Sequence, residues 1–463
     1  MILFFKGLIN KKTIKRTVSL MLAFIMCFFS TSCGKKKEKS EPITITLWHV
    51  YGEMTKSPLN DMIDEFNKTV GYEKGIKVQV TVVSNTSEIH EAVLRAARKE
   101  PGAGELPDMF ISYPKTVMAL PDRDILVDYN DYFTEDELDA YIPEFIEEGK
   151  IDDKLSVFPL AKSTEVLFVN KTLFDRFAKE TGASVEQLST WEGLFQVAQK
   201  YYDWTNAKTP DIDNDGKTFF AHDYHFNYLQ VGVESMGESF FEGDGIKDSV
   251  ELKRAFKLYA DAAINGTIWV NEGFATEPLR TGEVISSVAS SASVLYYDDY
   301  VTYDDNTTEF VEFIALPVPV FEGADNLVMQ RGAGVCTIKS IPEKEKAAAT
   351  FLRWITSPEN NTRLVTQLGY MPVTEKAFQN ISTAISEIES KKYKSLYEAF
   401  QKTQQNFTFY SAPKHDNYLE METLVEKTSR SMMKARRDEL LKNGGNIDTL
   451  IENAYKEFIE IKP

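Results

Sequence analysis

The amino-acid sequence predicts an α/β protein built from two lobes. Between Ile43 and Tyr113, short apolar strands alternate with helices whose apolar residues recur every three or four positions. Between about residues 171 and 289 the pattern is mainly helical, and strand patterns return in residues 312–338. A helical block bracketed by strand segments indicates two lobes that the chain connects more than once, rather than two domains in series.

The chain begins with the pattern of a secretory signal peptide. A basic stretch ends at Arg16 and precedes "VSLMLAFIMCFF", an uncharged run much shorter than the roughly twenty residues needed to cross a bilayer. Small residues precede Cys33, and this stretch resembles a bacterial lipoprotein signal, in which such a cysteine carries a lipid. We expect residues 1–32 to be removed and residues 33–42 to tether the fold to a membrane. The alternative is a plain signal peptide with an incidental cysteine.

The first lobe is predicted from an alternation of strands and helices. Strand patterns occupy Ile43–His49, "IKVQVTVVS" and "DMFISY", and helical patterns are carried by Leu59, Met62, Ile63, Phe66, then Ile89, Val93, Leu94 and Ala97. Such an alternation implies a parallel sheet with helices on its faces, and ligands bind beyond the carboxyl ends of its strands. Polar and aromatic residues follow two of those ends: Trp48, His49 and Tyr51, then Ser112 and Tyr113.

Later elements are predicted by the same criteria. Helical patterns include Leu173, Phe174 and Phe177 up to Thr181-Gly182, a capped helix at Trp191, and Leu252, Ala255, Phe256, Tyr259 and Ala263. Strands are predicted in "EFIALPVPV" and "GAGVCTIK", followed by a helix with Ser340 as cap and Pro342 in its first turn. The last hundred residues look helical. We therefore assign residues 43–158 and about 290–355 to lobe 1, and residues 159–289 and about 356–463 to lobe 2.

Length and charge narrow the function classes. A chain of 463 residues is long enough for two or three domains with their own cores. The net charge is −18, and a product starting at Cys33 would lose five further basic residues. A strongly acidic protein is a poor partner for nucleic acid, which requires a basic surface.

Cysteine and metal-ligand patterns are sparse. Of three cysteines, Cys27 leaves with the signal and Cys33 is the lipid site, so Cys336 is a lone, apolar-flanked residue of the mature protein. His222 and His225 lie one helical turn apart but have no third ligand nearby in sequence. The stretch "PDIDNDGK" matches the first half of a calcium loop through Asp211, Asp213 and Asp215, although His222 occupies the closing glutamate position. An ordinary surface turn is the alternative to structural calcium, and we expect no other cofactor.

Aromatic residues favour a binding protein over an enzyme. Trp48 and Trp191 fall at predicted element boundaries and Trp269 in a predicted loop. A flat indole can cover the C–H face of a sugar ring while polar neighbours bind its hydroxyls, although each tryptophan could equally be a core residue. Nucleophile elbow, P-loop and dinucleotide motifs are missing from the sequence. Paired carboxylates for glycoside hydrolysis cannot be identified from spacing alone, so an exported carbohydrate-active enzyme stays an alternative.

An ordered set of motifs resembles the extracellular solute-binding proteins of family 1, the substrate-binding components of ABC importers for sugars and glycerol-3-phosphate. The motifs are "ITLWHVYGEM…LNDMIDEFNK", "LPDMFIS", "PLAKSTEVLFVNKTLFD", "STWEGLFQVAQK" and the segment from "GAGVCTIKSIPEK" to "SPENNTRLVTQLGYMPV". The resemblance implies a periplasmic-binding-protein-like fold of type II, with two α/β lobes that close on a ligand through hinge crossings. It also implies delivery to a membrane permease and no catalysis.

The resemblance carries a set of candidate ligand-binding residues. Trp48 is the expected stacking surface, Tyr51 and Glu53 are expected hydroxyl partners, and His49 is expected to be structural. The others are Ser112, Ser163, Thr164, Trp191, Ser290, Ser291, Gly332, Gly334 and Tyr370, to which we add Trp269 and Arg331. Arg331 could contact a carboxylate or phosphate, or could be a surface charge.

The expected ligand is a neutral mono- or oligosaccharide. Members that bind glycerol-3-phosphate have a glutamate where this chain has Pro114 and an aromatic residue where it has Ser87. Their phosphate-binding arginine should fall near Lys414 and His415, neither of which offers a permanently charged fork. An anionic solute is the alternative ligand, and signalling to a membrane sensor is the alternative to transport. We expect an exported, membrane-anchored monomer.

Overall fold

The strands predicted between Ile43 and Tyr113 belong to one five-stranded sheet in the computed structural model, which describes residues 41–51, 57–83, 86–243 and 245–462. The folded unit spans Ile43–Pro463. The predicted signal peptide, the lipid site Cys33 and the expected hydroxyl partner Glu53 lie outside the described residues.

The chain first builds most of this first sheet and its helices. Ser57 caps the first helix by accepting the N–H of Asn60, and the apolar residues predicted for that helix are all buried. The elements are β1 (Ile43–His49), α1 (Pro58–Lys68), α2 (Val70–Lys74), β2 (Ile76–Val82), α3 (Thr86–Ala97), β3 (Met109–Ser112), α4 (Pro114–Met118), a 3₁₀ turn (Tyr129–Asp131), α5 (Glu135–Leu138), α6 (Pro143–Gly149), β4 (Lys150–Ile151), β5 (Lys154–Leu155) and β6 (Phe158–Pro159).

A second, larger sheet and the helices around it follow. Thr190 caps α8 by accepting the N–H of Gly193 at 3.1 Å, and Gly182, with φ of 71°, ends α7, as the sequence predicts. The elements are β7 (Ser163–Asn170), α7 (Lys171–Thr181), a 3₁₀ turn (Val185–Ser189), α8 (Trp191–Asn206), β8 (Phe220–His222), α9 (His225–Ser235), β9 (Phe241–Glu242), β10 (Gly245–Ile246), α10 (Val250–Ile264), β11 (Ile268–Trp269), α11 (Thr276–Thr281), β12 (Ser286–Ser290), a 3₁₀ turn (Ser291–Tyr296), β13 (Tyr300–Thr302), β14 (Thr308–Phe310), β15 (Phe313–Pro317) and β16 (Leu327–Arg331).

The remaining chain returns to the first sheet and then to the second. Its helix α12 begins at Pro342 as predicted, but the N-cap is Ile341 rather than Ser340. The Ser340 backbone N–H instead donates to Glu345 Oε1 at 2.6 Å. The elements are β17 (Gly334–Thr337), α12 (Pro342–Ile355), α13 (Pro358–Leu368), α14 (Glu375–Ala384), a 3₁₀ turn (Ile385–Glu387), α15 (Lys391–Asn406), β18 (Thr408–Tyr410), α16 (Tyr418–Asn443) and α17 (Ile447–Ile459).

Each sheet forms the centre of one lobe, so the predicted two-lobe α/β architecture is confirmed. The first sheet has the strand order β2-β1-β3-β17-β6, with β1 parallel to β2 and β3 and with β17 antiparallel to its neighbours. The second has the order β11-β8-β12-β7-β16-β18, and β15 also pairs with β7. One cluster of buried apolar side chains covers the first sheet and one face of the second sheet, and another covers the opposite face of the second sheet.

An antiparallel pair of segments connects the lobes. The chain passes from β6 to β7, and later returns from β16 to β17 alongside its first path. At the crossing point Gly332 has φ of 90°, and a Cβ atom there would lie 2.6 Å from the backbone nitrogen of Ser163. Lys162 is buried at the same point, pairs with Glu148 and donates to the Gly332 carbonyl at 2.8 Å. Only glycine fits this close approach.

The predicted lobe boundaries need two corrections. Strands β15 and β16 fall in the range assigned to lobe 1 but pair with β7 in the second sheet. Helix α13 falls in the range assigned to lobe 2 but contacts the first lobe, where Arg363 pairs with Glu65 at 2.8 Å and Asn361 donates to the Leu160 carbonyl at 2.8 Å. Both differences arise from long-range pairing that local sequence patterns do not record.

Candidate ligand-binding cleft

A cavity of about 580 Å³ lies between the two lobes. This volume is within the range of pockets that bind small molecules. Its first-lobe wall includes Ser87, His90, Tyr113, Pro114, Lys115 and Glu148; its second-lobe wall includes Asp223, Tyr224, Asn227, Glu272, Gly273, Phe274, Met329, Gln330, Arg331, Lys414, Tyr418, Glu422, Glu426 and Arg430.

Strand ends position much of this wall. Tyr113, Pro114 and Lys115 directly follow β3 and begin α4. In the second lobe β8 and β11 are parallel neighbours, so the loops that follow them, residues 223–224 and 271–274, leave the sheet side by side. The cavity therefore lies beyond the carboxyl ends of strands, as expected for an open α/β sheet.

A polar stripe of α16 supplies another part of the wall. Tyr418, Glu422, Glu426 and Arg430 are four residues apart and so lie on one helix face. Tyr418 donates to Gln230 Oε1 at 2.7 Å, and Glu426 accepts the N–H of Phe226 at 3.0 Å. This face of α16 is therefore joined to α9 as well as to the cavity.

Charged groups in the wall are mostly paired. Lys115 of the first lobe pairs with Glu422 of the second, and Arg430 pairs with Glu426 at 2.9 Å. Asp223 is buried and accepts the N–H of Ala275 at 2.8 Å; burial raises the pKa of this carboxyl, while that bond and nearby arginines oppose the rise. Ion pairs of this kind offer polar contacts while leaving little uncompensated charge in the cleft.

Among the residues that the structure describes, Arg331 is the one predicted ligand-binding residue that lines the cavity. Its guanidinium pairs with Glu165 at 3.2 Å and lies over the Tyr224 ring, 4.3 Å from the centroid. Burial raises the pKa of Glu165, and Arg331 opposes the rise. The interpretation of Arg331 as a surface charge is therefore wrong, and its carboxylate partner makes it only partly available to an anion.

The described residues at the end of β1, up to Tyr51, pack against the first lobe and are not among those that line the cavity. Trp48 is half-buried against the first-lobe core. The Tyr51 hydroxyl donates to the Ala333 carbonyl at 3.1 Å, and its ring meets Tyr370 edge-on at 5.2 Å. His49 is structural, as expected: its Nε2 contacts Asn60 Oδ1 at 2.8 Å and its Nδ1 accepts the N–H of Tyr51 at 3.1 Å.

The small polar residues predicted for the site gather at the lobe connection. Thr164 donates to the Met329 carbonyl at 3.1 Å, and Ser290 donates to Ser163 at 3.4 Å. Gly334 pairs with Ser112 and Pro159 in the first sheet. Ser291 is buried, and its hydroxyl has no protein partner among the described residues. Ser163, Thr164, Gly332 and Gly334 belong to the connection, and Ser112 and Ser290 contact it.

Two tryptophans predicted for the site are core residues. Trp191 is 5% exposed and packs edge-on against Tyr228 at 4.8 Å within the second-lobe core. Trp269 is also buried, and its ring centroid lies 6.0 Å from the Arg430 guanidinium. We therefore withdraw the expectation that these indoles stack on a ligand. The aromatic residues at the cavity are Tyr113, Tyr224, Phe274 and Tyr418, of which Phe274 is 56% exposed.

The aspartates of the predicted calcium loop lie at the surface of a turn closed by its own hydrogen bonds. Asp211, Asp213 and Asp215 are exposed, and Asp215 accepts the hydroxyl of Thr209 at 2.7 Å. The Asn214 carbonyl accepts the Tyr202 hydroxyl at 2.8 Å, so internal bonds close this turn. Among the residues that the structure describes, no three acidic, histidine or cysteine side chains are grouped to hold a metal ion.

Several cleft residues could have been found from sequence. Tyr113 and Lys115 lie within three residues of the predicted site residue Ser112, and Phe274 lies five residues after Trp269. The stripe of α16 has the four-residue spacing of a helix face, but its polar character made it resemble a solvated surface. Nothing in the sequence marks Asp223 as a cleft residue, because its burial depends on loops brought together by β8 and β11.

Comparisons with known proteins agree with this architecture. A family model described as bacterial extracellular solute-binding protein matches residues 61–401. No curated protein sequence matches the chain significantly. Throughout the part of the chain that the structure describes, every helix is too short or too polar to span a membrane.

Solved structures of similar fold cover nearly the whole chain. The cyclic alpha-maltosyl-1,6-maltose binding protein of Arthrobacter globiformis has a TM-score of 0.64 at 18% identity, covering 90% of this chain and 98% of that one. UgpB of Mycobacterium tuberculosis, in complex with glycerophosphocholine, has a TM-score of 0.65 at 15% identity, with coverage of 90% and 98%. An ABC substrate-binding protein of Listeria monocytogenes, in complex with cycloalternan, has a TM-score of 0.65 at 15% identity, with coverage of 90% and 98%.

Proposed function

This chain belongs to the bacterial extracellular solute-binding proteins, and we propose that it captures a neutral mono- or oligosaccharide between its lobes and delivers it to the permease of an ABC importer. The observation that carries the proposal is the chemistry of the cleft. Aromatic side chains and ion-paired charged groups, among them Lys115–Glu422 and Arg331–Glu165, line the same cavity. Aromatic faces bind the C–H surface of sugars, and paired charges bind hydroxyls without requiring a counter-ion.

The proposed protein binds and does not catalyse. Three carboxylates of the cavity are held by cations: Glu148 by Lys162, Glu422 by Lys115 and Glu426 by Arg430, and the buried Asp223 is held by the N–H of Ala275. A glycosidase instead needs one carboxylic acid and one carboxylate free to act on the glycosidic bond. Incubation with oligosaccharides separates the two functions, because a receptor leaves the glycan intact and an enzyme shortens it.

The second candidate ligand is an anionic solute. Two observations favour it: Arg331 and Lys414 both line the cavity, and one protein of the same fold was solved with glycerophosphocholine. The contacts of these two cations weigh against it. Arg331 is paired with Glu165, and Lys414 donates to the Glu147 carbonyl at 2.9 Å. An anion would have to displace both contacts before it gained a charged partner.

The deciding experiment is a ligand screen on the purified mature chain. Thermal shift with mono- and oligosaccharides, glycerol-3-phosphate and glycerophosphocholine, followed by calorimetry of the best ligands, should give a saccharide as the tightest ligand. A ligand at a hundred times its Kd adds about 2.7 kcal/mol of stability, which such a screen detects. A phosphate ester that binds, with no saccharide binding, contradicts the proposal.

The membrane anchor and the oligomeric state are parts of the same proposal. Cys33 would carry the lipid, and the mature chain would act as a monomer. Cys33→Ser should release the protein from the membrane fraction into the soluble fraction, and light scattering should give the mass of one chain. Equal membrane association of the two forms would remove the lipid from the proposal.

A further inference from the structure

Arg430 holds together two loops of the cleft. It is 6% exposed and projects from α16. Its Nη1 donates to the Asn271 carbonyl at 2.6 Å, and its Nη2 donates to the carbonyls of His222 and Asp223 at 3.1 and 2.8 Å. One guanidinium therefore binds the chain at the end of β8 and again just beyond the end of β11.

Those two loops carry ligand-facing side chains. Asp223 and Tyr224 follow β8, while Gly273 and Phe274 follow β11, and all four line the cavity. Asp223 also bridges the loops by accepting the N–H of Ala275 at 2.8 Å. The planar fork of arginine suits three carbonyls in different directions, whereas lysine presents a compact charge with fewer fixed donors.

Glu426 fixes Arg430 in turn. Its Oε1 accepts from Arg430 Nε at 2.9 Å, and its Oε2 accepts the N–H of Phe226 in the first turn of α9. A carboxylate at this helix end is favourable because the N–H groups there lack helical partners. Arg430 is thus held by Glu426 of the same helix, and Glu426 is held in turn by the first turn of α9.

We propose that Arg430 is a positioning residue for ligand binding, which sets affinity by fixing the loops of residues 222–224 and 271–274 against each other. This inference rests on the proposed function for its ligand. Arg430 lines the cavity, but its Nε, Nη1 and Nη2 already donate to Glu426 and to three carbonyls, so the proposal assigns it no direct contact with that ligand. Its effect is expected to pass through Asp223 and Phe274.

The test compares Arg430→Lys with a matched control, Arg437→Lys. Arg437 lies on the same helix and donates to the Ile264 carbonyl at 3.1 Å, but it does not line the cavity. We expect Arg430→Lys to weaken the tightest saccharide at least tenfold by calorimetry, and Arg437→Lys to change its Kd less than twofold, with similar changes in Tm. An unchanged Kd for Arg430→Lys, with a lowered Tm, overturns the proposal because Arg430 would then be purely structural.

A second measurement needs no ligand. In Arg430→Lys, amide hydrogen exchange should quicken in residues 222–224 and 271–274 and stay unchanged in the second-lobe strands away from them. If no saccharide binds the unaltered chain, the proposed function fails while this measurement still decides the role of Arg430. Unchanged exchange in both loops overturns that role. Glu426→Gln, which keeps an acceptor but removes the charge, should show the same exchange pattern and serves if Arg430→Lys does not fold.

Discussion

Lys115 Nζ and the Glu422 carboxylate form an ion pair across the cleft, one from each lobe. The side chains are 22% and 11% exposed, so the pair is largely shielded from solvent. Two further contacts cross between the same regions: Arg123 pairs with Asp416 at 2.5 Å, and Lys414 donates to the Glu147 carbonyl at 2.9 Å. Charged contacts therefore link the two lobes across the cleft.

Removing one partner of the Lys115–Glu422 pair should favour an open cleft. Lys115→Met leaves a shielded carboxylate without its partner, which should destabilise the closed form by about 1–3 kcal/mol. Small-angle scattering of the ligand-free chain should show a larger radius of gyration. The double variant with Glu422→Leu removes both charges and should return towards the original value. Arg363→Met, which breaks an exposed pair within the first lobe, is the control, and an equal change in that variant would contradict the prediction.

Gly332→Ala should be markedly destabilising. The φ of 90° disfavours any side chain, and the new Cβ would also meet the backbone of Ser163 and Lys162 at 2.6–2.7 Å. We expect a loss of about 3 kcal/mol or more in the free energy of unfolding, measured by denaturant titration. Gly323→Ala is the control, because φ is 77° there but no atom lies within 4 Å of the added Cβ. If both variants lose the same free energy of unfolding, crowding at the lobe connection does not contribute to the destabilisation of Gly332→Ala.

Stability should fall as the pH is lowered from about 6.5 to 4. Burial lowers the pKa of His49 from 6.5 to about 4 and that of His90 to about 3. The unfolded chain therefore binds protons in this window that the folded chain excludes. Protonation of His49 would also place an N–H opposite the N–H of Tyr51. Between pH 7 and 4.5, His49 should account for roughly 2–3 kcal/mol of lost stability.

The variant His49→Asn tests that assignment. Asparagine keeps an acceptor for the Tyr51 N–H but does not titrate, so the loss of stability between pH 7 and 4.5 should shrink by that amount. Denaturant titrations at the two pH values give the comparison. The same loss in both proteins would contradict the assignment to His49.

Substitution of Phe274 should change mainly the affinity for ligand, and substitution of Trp191 should change mainly the stability of the protein. Phe274→Ala removes an exposed ring from the cavity wall and should weaken saccharide binding by about 1 kcal/mol with little change in Tm. Trp191→Ala removes a buried ring and should lower the free energy of unfolding by about 3–5 kcal/mol. Calorimetry and denaturant titration give the two quantities. A Phe274→Ala variant with unchanged affinity and a Trp191→Ala variant with unchanged stability would reverse these roles.

Local signals were sufficient for most elements of the fold. The apolar spacing that predicts a helix through Leu252 and Tyr259 corresponds to the buried face of α10. Thr190 caps the start of α8 with its side chain, and Gly182 ends α7 in the left-handed conformation. The assignment of strands to lobes failed where it depended on distant pairing: β7 is buried at all eight positions and pairs with residues of β15 and β16 that are 143 to 168 positions later in the chain.

The site was less predictable than the fold. The position of the cleft beyond strand ends followed from the strand–helix alternation, but the side chains that face it did not. Trp191 and Phe274 both lie near element boundaries, yet one ring turns into the second-lobe core and the other towards the cavity. Which way a boundary residue faces depends on neighbouring loops, and these are assembled by contacts such as those of Arg430.

Strand β17 occupies an inner position of the first sheet, between β3 and β6, although it is made of residues 334–337. The earliest lobe to emerge from the ribosome therefore cannot finish its sheet until nearly three quarters of the polypeptide has been synthesised. The first lobe therefore acquires its complete sheet only after β17 has joined β3 and β6. Completion of the first lobe thus depends on residues that follow most of the second lobe along the chain.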